Sequence, residues 1–95
     1  MNSIDFLEEC VKVQKERGDE YEGDKERSFN KIATAFNAIT CKDLTPAHIA
    51  LLFEILKNVR QFSADRYHHD SALDCVSYAS LKAELLWEQY NEDVL

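Results

Sequence analysis

Apolar residues recur at spacings of three and four along most of the chain, which predicts helices and no strand. The first predicted helix runs from Ser3, its N-cap, to about Glu16, with Gly18 just past its end. The second opens at Asp24 and ends around Thr40. The expected core stripe of the first helix is Ile4, Leu7, Cys10 and Val11, and that of the second is Phe29, Ile32, Ala33, Phe36 and Ile39.

Two more helices follow. The third starts with Thr45 as its cap and Pro46 at the first helical position. It is apolar on nearly all sides at its start, which predicts a central helix or one that also meets another subunit. The fourth begins near Asp70 or Ser71 and runs to about Tyr90. The third helix carries Ile49, Leu52, Phe53, Leu56 and Val59, with Leu51 and Ile55 on another side, and the fourth carries Ala72, Val76, Ala79, Ala83, Leu86 and Tyr90, with Leu73, Leu81, Leu85 and Trp87 off that stripe.

This pattern predicts one all-α domain over residues 1–95, a compact bundle of about four helices. The chain has more apolar positions than such a small bundle can bury, which indicates a homo-oligomer. No apolar run approaches 18 residues, so no membrane span is expected.

Charge and cysteine usage narrow the function classes. Eighteen acidic against eleven basic residues give a net charge of −7, which argues against general DNA or RNA binding and leaves open an acidic surface for a basic protein partner. The three cysteines, Cys10, Cys41 and Cys75, form no CxxC pair, so a zinc site is not expected. Reduced thiols predict a cytoplasmic protein, with Cys10 and Cys75 as core residues.

Candidate chemistry starts on the third helix. Glu54, Lys57 and Gln61 share one face, and Arg60 follows Lys57 by three residues. This arrangement is either an ordinary surface ion pair or part of a site for an anionic ligand.

The stretch "YHHDSALDCVSYASL", residues 67–81, contains a second set of candidate site residues. Asp70 and Asp74 lie four residues apart, and Tyr78 continues the same line. Two carboxylates on one face repel each other unless a cation or a donor lies nearby, although Asp70 could serve only as an N-cap. The adjacent histidines diverge and are poor joint metal ligands; His69 is the candidate for a ligand contact.

A third set surrounds the glycines of "RGDEYEGDKERSF". Arg17, Lys25 and Arg27 are basic points that could grip a phosphate. In a nucleotide site Tyr21, Tyr67 or Tyr78 could stack on the base. There is no GxxxxGK[ST], so this is not a P-loop. The full set of candidate ligand-binding residues is Arg17, Tyr21, Lys25, Glu54, Lys57, Arg60, Tyr67, His69, Asp70, Asp74 and Tyr78.

From Arg17 to about Leu81 the chain resembles a family of small, mostly phage-encoded all-helical proteins without assigned function. The residues that carry this resemblance are Arg17, Gly18, Tyr21, Gly23, Asp24, Phe29, Lys57, Arg60, Asp70, Ser71, Asp74 and Tyr78.

More distantly, the third and fourth helices resemble the core of the MazG-like, all-α nucleoside triphosphate pyrophosphohydrolases. That superfamily carries ExxE on one helix and ExxD on the next, and the four acids hold magnesium against a triphosphate. Here Glu54 falls on the first acid and Lys57 on the second, and after thirteen intervening residues Ser71 falls on the third and Asp74 on the last. A lysine ammonium repels magnesium, but it can take the place of the cation.

The resemblance implies a degenerate MazG-like pocket that binds a nucleotide or related phosphorylated ligand without efficient hydrolysis and with no cofactor. In a phage setting this would serve an anti-defence interaction with the host, in the host cytoplasm. Two alternatives stay open. One is an active magnesium-dependent pyrophosphohydrolase, with Glu54, Asp70 and Asp74 catalytic and Glu54 and Asp74 on the metal. The other is an acidic inhibitor of a basic host protein.

Overall fold

The computed structural model describes residues 1–20 and 28–94, and all regular structure in these ranges is helical. The elements are α1 (Ser3–Glu20), α2 (Ser28–Thr40), α3 (Pro46–Ser63) and α4 (His69–Val94). Within the described ranges there is no strand. The prediction of an all-α bundle of about four helices is therefore confirmed.

The bundle is organised around an antiparallel pair, α3 and α4. Helix α1 packs on α4, and α2 packs on α3, so the helices lie in the spatial order α1, α4, α3, α2. The 26 residues of α4 rise about 39 Å, which matches the longest dimension of the molecule, 40 Å. Since α3 has only 18 residues, α4 extends past it.

The core forms where α2, α3 and α4 meet. Phe29 and Ala33 of α2 are buried against Ile49 and Ala50 of α3. Phe29, Phe53 and Tyr78 form an aromatic cluster, with ring centroids 5.4–6.3 Å apart in tilted and edge-on pairs that aromatic quadrupoles favour. Tyr78 thereby connects α4 to α2 as well as to α3. Other side chains packed on this core are Ile32, Leu44, Leu81 and Leu85.

The predicted boundary of α1 was wrong. The helix continues through Gly18 to Glu20 instead of ending at Glu16. Glycine is common just after helix ends, but it is also tolerated inside a helix at a cost of about 1 kcal/mol. The expected cap of α2, Asp24, lies outside the described residues. Helix α2 ends at Thr40, and Cys41 after it has a φ of 56°, the left-handed conformation that usually favours glycine.

The start of α3 is the one predicted. Thr45 is the N-cap and Pro46 the first helical residue. Thr45 accepts the backbone N–H of His48 through Oγ1, and His48 Nδ1 accepts the backbone N–H of Thr45 at 2.9 Å. This reciprocal capping box uses histidine where glutamate or glutamine is usual.

Helix α4 begins one residue earlier than expected, at His69. Its first turn is capped by His68, whose Nδ1 accepts the backbone N–H of Ser71 at 3.3 Å and lies 2.6 Å from Ser71 Oγ. Asp70 is thus inside the first turn, and its interpretation as the cap was wrong. Gln61 of α3 fixes the connection, since it accepts the backbone N–H of His68 at 2.9 Å and donates to the carbonyl of Arg66 at 3.2 Å.

The predicted core stripes were only partly right. Among the side chains that the structure describes, Cys10 is the buried one in α1, and Ser71, Leu73 and Ser77 are the buried ones in α4. The sequence pattern missed the two serines because they are polar, and it placed Leu73 off the stripe. Many other predicted core side chains are exposed; among them are Ile4, Leu7, Val11, Ile39, Leu52, Leu56, Val59, Leu86 and Tyr90. No described helix has the length and apolar character needed to cross a bilayer.

Candidate functional site

The contact between α3 and α4 holds a largely buried ion pair. Lys57 Nζ lies 3.0 Å from Asp74 Oδ2, and the two side chains are 16% and 22% exposed. Lys57 is on the fourth turn of α3 and Asp74 on the second turn of α4, so the pair crosses the seam between the two central helices. Because so little water reaches it, each charge depends on the other for stabilisation.

A second ion pair lies nearer the N-terminal end of α3. Lys82 Nζ is 2.7 Å from Glu54 Oε1, and the two side chains are 28% and 19% exposed. The two pairs have opposite polarity across the seam, since α3 supplies the acid in one and the base in the other. Sequence reasoning missed Lys82, which lies eight residues after Asp74 and about 80° round the helix from it, still on the side of α4 that contacts α3.

Between these pairs lies the thiol of Cys75. Its Sγ donates to Asn58 Oδ1 at 3.1 Å and lies 3.9 Å from the carbonyl oxygen of Glu54. Burial raises the pKa of Cys75, the charge of Glu54 raises it further, and Lys82 and the hydrogen bond to Asn58 partly offset this. The thiol therefore stays protonated near neutral pH and acts as a donor within the seam.

Cys10 sits on the α1 side of α4. The buried Sγ donates to the carbonyl of Leu73 at 3.5 Å. Burial raises the pKa of Cys10, and the negative charges of Glu9 and Asp74 raise it further. Cys10 confirms the prediction of a core cysteine, and its contact helps hold α1 on α4.

The seam does not provide the four acids of a magnesium site. Lys57, at the second acid position of the MazG-like pattern, is paired with Asp74, at the last position. Ser71, at the third position, is buried, with its hydroxyl against His68. No three His, Cys, Asp or Glu side chains of residues 1–20 and 28–94 converge as metal ligands. The donor set present is unsuited to magnesium, which prefers an octahedral shell of oxygen atoms.

The start of α4 holds a separate polar cluster. Tyr67 Oη lies 2.7 Å from His69 Nδ1, and His69 Nε2 lies 3.4 Å from Glu9 Oε1. The ring of Phe6 is 5.7 Å from that of His69. Asp70 lies beside this cluster and is exposed. These contacts tie the connection before α4 to the first half of α1.

The structure divides the candidate residues between two helix contacts. Glu54, Lys57 and Asp74 lie at the α3–α4 seam, whereas Tyr67, His69 and Asp70 lie at the α1–α4 contact. Tyr78 packs its ring in the aromatic core. Arg60 is exposed one turn after Lys57, and Arg17 is exposed near the end of α1. Tyr21 and Lys25 lie outside the described residues.

An apolar cleft opens beside the seam, where the first turns of α3 meet α4. It encloses about 320 Å³. Lys82 borders it, so the cleft adjoins the pair that Lys82 forms with Glu54. Its lining consists of Thr45, Ala47, His48, Leu51, Lys82, Leu86 and Gln89.

Comparison with known families gives one assignment. Residues 6–86 match DUF6378, a domain of unknown function, and because this is most of the chain, the chain belongs to that family. No curated protein matches the chain, and no solved structure does.

Proposed function

We propose that this DUF6378 member binds a nucleotide or a related phosphorylated small molecule at the α3–α4 seam without efficient hydrolysis. The observation that carries the proposal is the ion pair between Lys57 and Asp74. Lys57 and Asp74 occupy positions at which the MazG-like enzymes that this chain resembles carry metal-binding acids. In such an arrangement the ammonium group supplies the positive charge that a metal ion would otherwise supply.

The chemistry of the seam supports binding more than hydrolysis. A phosphate group can exchange for Asp74 as the partner of Lys57, and Arg60, one turn further along α3, can reach the same anion with its guanidinium. Hydrolysis would require an activated water molecule, and the seam offers no set of oxygen ligands to hold a metal ion that could activate one.

The active-hydrolase alternative is less well supported. It would need Glu54, Asp70 and Asp74 to act together. Glu54 is instead paired with Lys82, and Asp74 with Lys57. Asp70 lies exposed in the first turn of α4, beside the His69 cluster.

The wider setting is proposed on the resemblance. It comprises a MazG-like core, a phage origin, a cytoplasmic location and a role in an anti-defence interaction with the host. Self-association is proposed on independent grounds, because many large apolar side chains of the described residues face solvent.

A thermal-shift screen of purified protein against nucleotides, with and without magnesium, tests the binding. A ligand at about 100 times its dissociation constant adds about 2.7 kcal/mol of stability, and we expect this gain to be independent of magnesium. The variants Lys57→Met and Arg60→Met should each weaken the affinity at least tenfold in calorimetric titration. Lys12→Met, which removes an exposed lysine from α1, is the matched control and should bind normally.

Two results would count against the proposal. If no nucleotide stabilises the protein, the seam is a purely structural contact. If stabilisation requires magnesium and pyrophosphate is released at ordinary enzymatic rates, the chain is a working hydrolase.

A further inference from the structure

We propose that two copies of this chain pair through the outer face of α3, antiparallel and about a two-fold axis, with Phe62 of each copy inserted into the apolar cleft of the other. The outer face of α3 consists of Leu52, Ile55, Leu56, Val59 and Phe62. This inference deepens the self-association part of the proposed function by assigning its surface and its geometry.

The outer face of α3 has no partner within the described chain. Its five side chains lie on the side of the helix away from Ala50, Glu54 and Lys57, which face α4. Phe62 is 85% exposed and Val59 55% exposed. A continuous apolar face of this kind marks an interaction surface rather than ordinary surface composition.

The spacing on this face fits a second copy of itself. Leu52, Ile55, Val59 and Phe62 follow the three-four-three spacing of a helix–helix seam. The face is also self-complementary about the point between Ile55 and Leu56. In an antiparallel pair Ile55 lies opposite Leu56 of the other copy, and Leu52 lies opposite Val59. An isologous interface requires this relation, because each residue must meet its partner twice.

The same axis aligns Phe62 with the cleft. Phe62 lies about 10 Å along α3 from the point between Ile55 and Leu56 through which the axis passes. In the antiparallel pair it therefore lies opposite the first two turns of α3 of the other copy. That region contains His48 and Leu51, which line the cleft of about 320 Å³ between α3 and α4. The most exposed aromatic ring of the described residues thus meets an apolar cleft large enough to hold it.

Charge favours a second copy over a foreign basic partner. Each chain carries a net charge of −7, so two copies can approach closely only where charge is absent. None of the five residues is charged, and the acidic and basic groups Glu54 and Lys57 are engaged with α4. A basic partner would find no opposite charge on this face.

The area is also adequate. Taking about 200 Å² for a fully exposed large side chain, the face and Leu51 together leave on the order of 600 Å² of apolar surface. A standard interface buries about 800 Å² per partner, and insertion of Phe62 into the cleft adds its walls to the contact.

The first test is the mass in solution by light scattering after size exclusion. We expect twice the chain mass of 11.0 kDa at about 100 µM protein, with tighter association as salt screens the repulsion between acidic copies. Leu52→Glu and Phe62→Ala should each weaken dimerisation at least tenfold. Leu7→Glu is the matched control: it changes an equally exposed leucine on α1 and should leave the mass doubled.

The second test examines orientation. In a Cys41→Ser background, Ile55→Cys should form a disulfide-linked dimer under mild oxidation because the two copies of residue 55 lie beside the axis. Ser63→Cys, far from the axis, should not. A monomeric wild-type chain would overturn the proposal, even if the outer face of α3 binds another protein. A dimer that forms a disulfide more readily through Ser63→Cys than through Ile55→Cys would also overturn it. Neither readout involves a nucleotide, so this pairing and the ligand site can fail separately.

Discussion

Lys57 Nζ and Asp74 Oδ2 lie 3.0 Å apart across the seam of the two central helices, and each side chain is mostly shielded from water. Because of that shielding, removing one member leaves the other charge without compensation. The pair therefore has a measurable role in stability apart from any role in binding.

A double-mutant cycle on this pair should show strong coupling. Lys57→Met is expected to cost about 1–3 kcal/mol of unfolding free energy, between the values for exposed and fully buried pairs. Adding Asp74→Asn removes the stranded charge and should recover part of that loss. The measurement is chemical denaturation of the four proteins; additive effects would mean that the pair is too well solvated to matter.

Cys41→Gly should stabilise the protein by about 1 kcal/mol, because Cys41 adopts a left-handed φ of 56° at which a side chain is unfavourable and glycine is not. Cys41→Ala keeps the Cβ atom and serves as the control, with little expected change. Thermal denaturation under reducing conditions measures both. Equal stability of the glycine and alanine variants would show that this residue carries no strain.

Stability should fall in alkaline solution. Burial, first among the causes, raises the pKa of both Cys10 and Cys75 above the ordinary thiol value of 9.0. The folded state then holds these protons more tightly than the unfolded state does. The resulting stabilisation is complete below about pH 9 and is lost as pH rises through the folded-state values.

Unfolding free energies measured from about pH 8 to pH 10 should show this decline, and Cys10→Ala should make it shallower. Cys41→Ala, which alters an exposed thiol, is the variant for comparison, and Cys10→Ala should show the shallower decline of the two. An unchanged slope in Cys10→Ala would mean that other groups cause the alkaline loss.

The docking of α1 should depend on one amide. Gln14 Nε2 donates to Ser77 Oγ at 3.0 Å and to Ser80 Oγ at 2.9 Å. Gln14→Ala removes both bonds, which are worth about 1–2 kcal/mol together. Amide hydrogen exchange in α1 should accelerate by about 5–30-fold while α3 keeps its protection. Gln89→Ala on α4 is the control, and uniform acceleration in all helices would contradict local docking.

Local signals in the sequence predicted α3 well. Thr45 and Pro46 define a helix start by their own backbone preferences, and those preferences hold whatever packs nearby. Gly18 was misleading because a glycine that ends a helix and a glycine inside a helix cannot be told apart from the glycine alone. In the structure the residues after Gly18 continue α1 to Glu20.

The α4 stripe could not be predicted because this helix has two neighbours. Its apolar residues Leu81 and Leu85 pack against the core on one side. On another side Leu73 is buried, and its backbone carbonyl accepts a hydrogen bond from Cys10 of α1. A single stripe drawn through Ala72, Val76 and Ala79 averages over these two directions. Periodicity shows that a helix has an apolar side, but not how many partners share it.

The candidate site was predictable in part. Lys57 and Asp74 were expected on facing helices, and the structure brings them into contact. Lys82 was not expected, since a lysine within a long helix is usually a solvent-exposed surface residue. Its role became visible only when the structure placed it against Glu54 of α3. Tyr21 and Lys25 remain predictions.

The two histidine caps act at opposite ends of the central pair. The backbone N–H of Thr45 donates to Nδ1 of His48, and that of Ser71 donates to Nδ1 of His68. In both cases the imidazole lies three residues away along the chain, so each helix start finds its acceptor in its own local sequence. Because α3 and α4 run antiparallel, the same side-chain type closes the pair at one end and at the other.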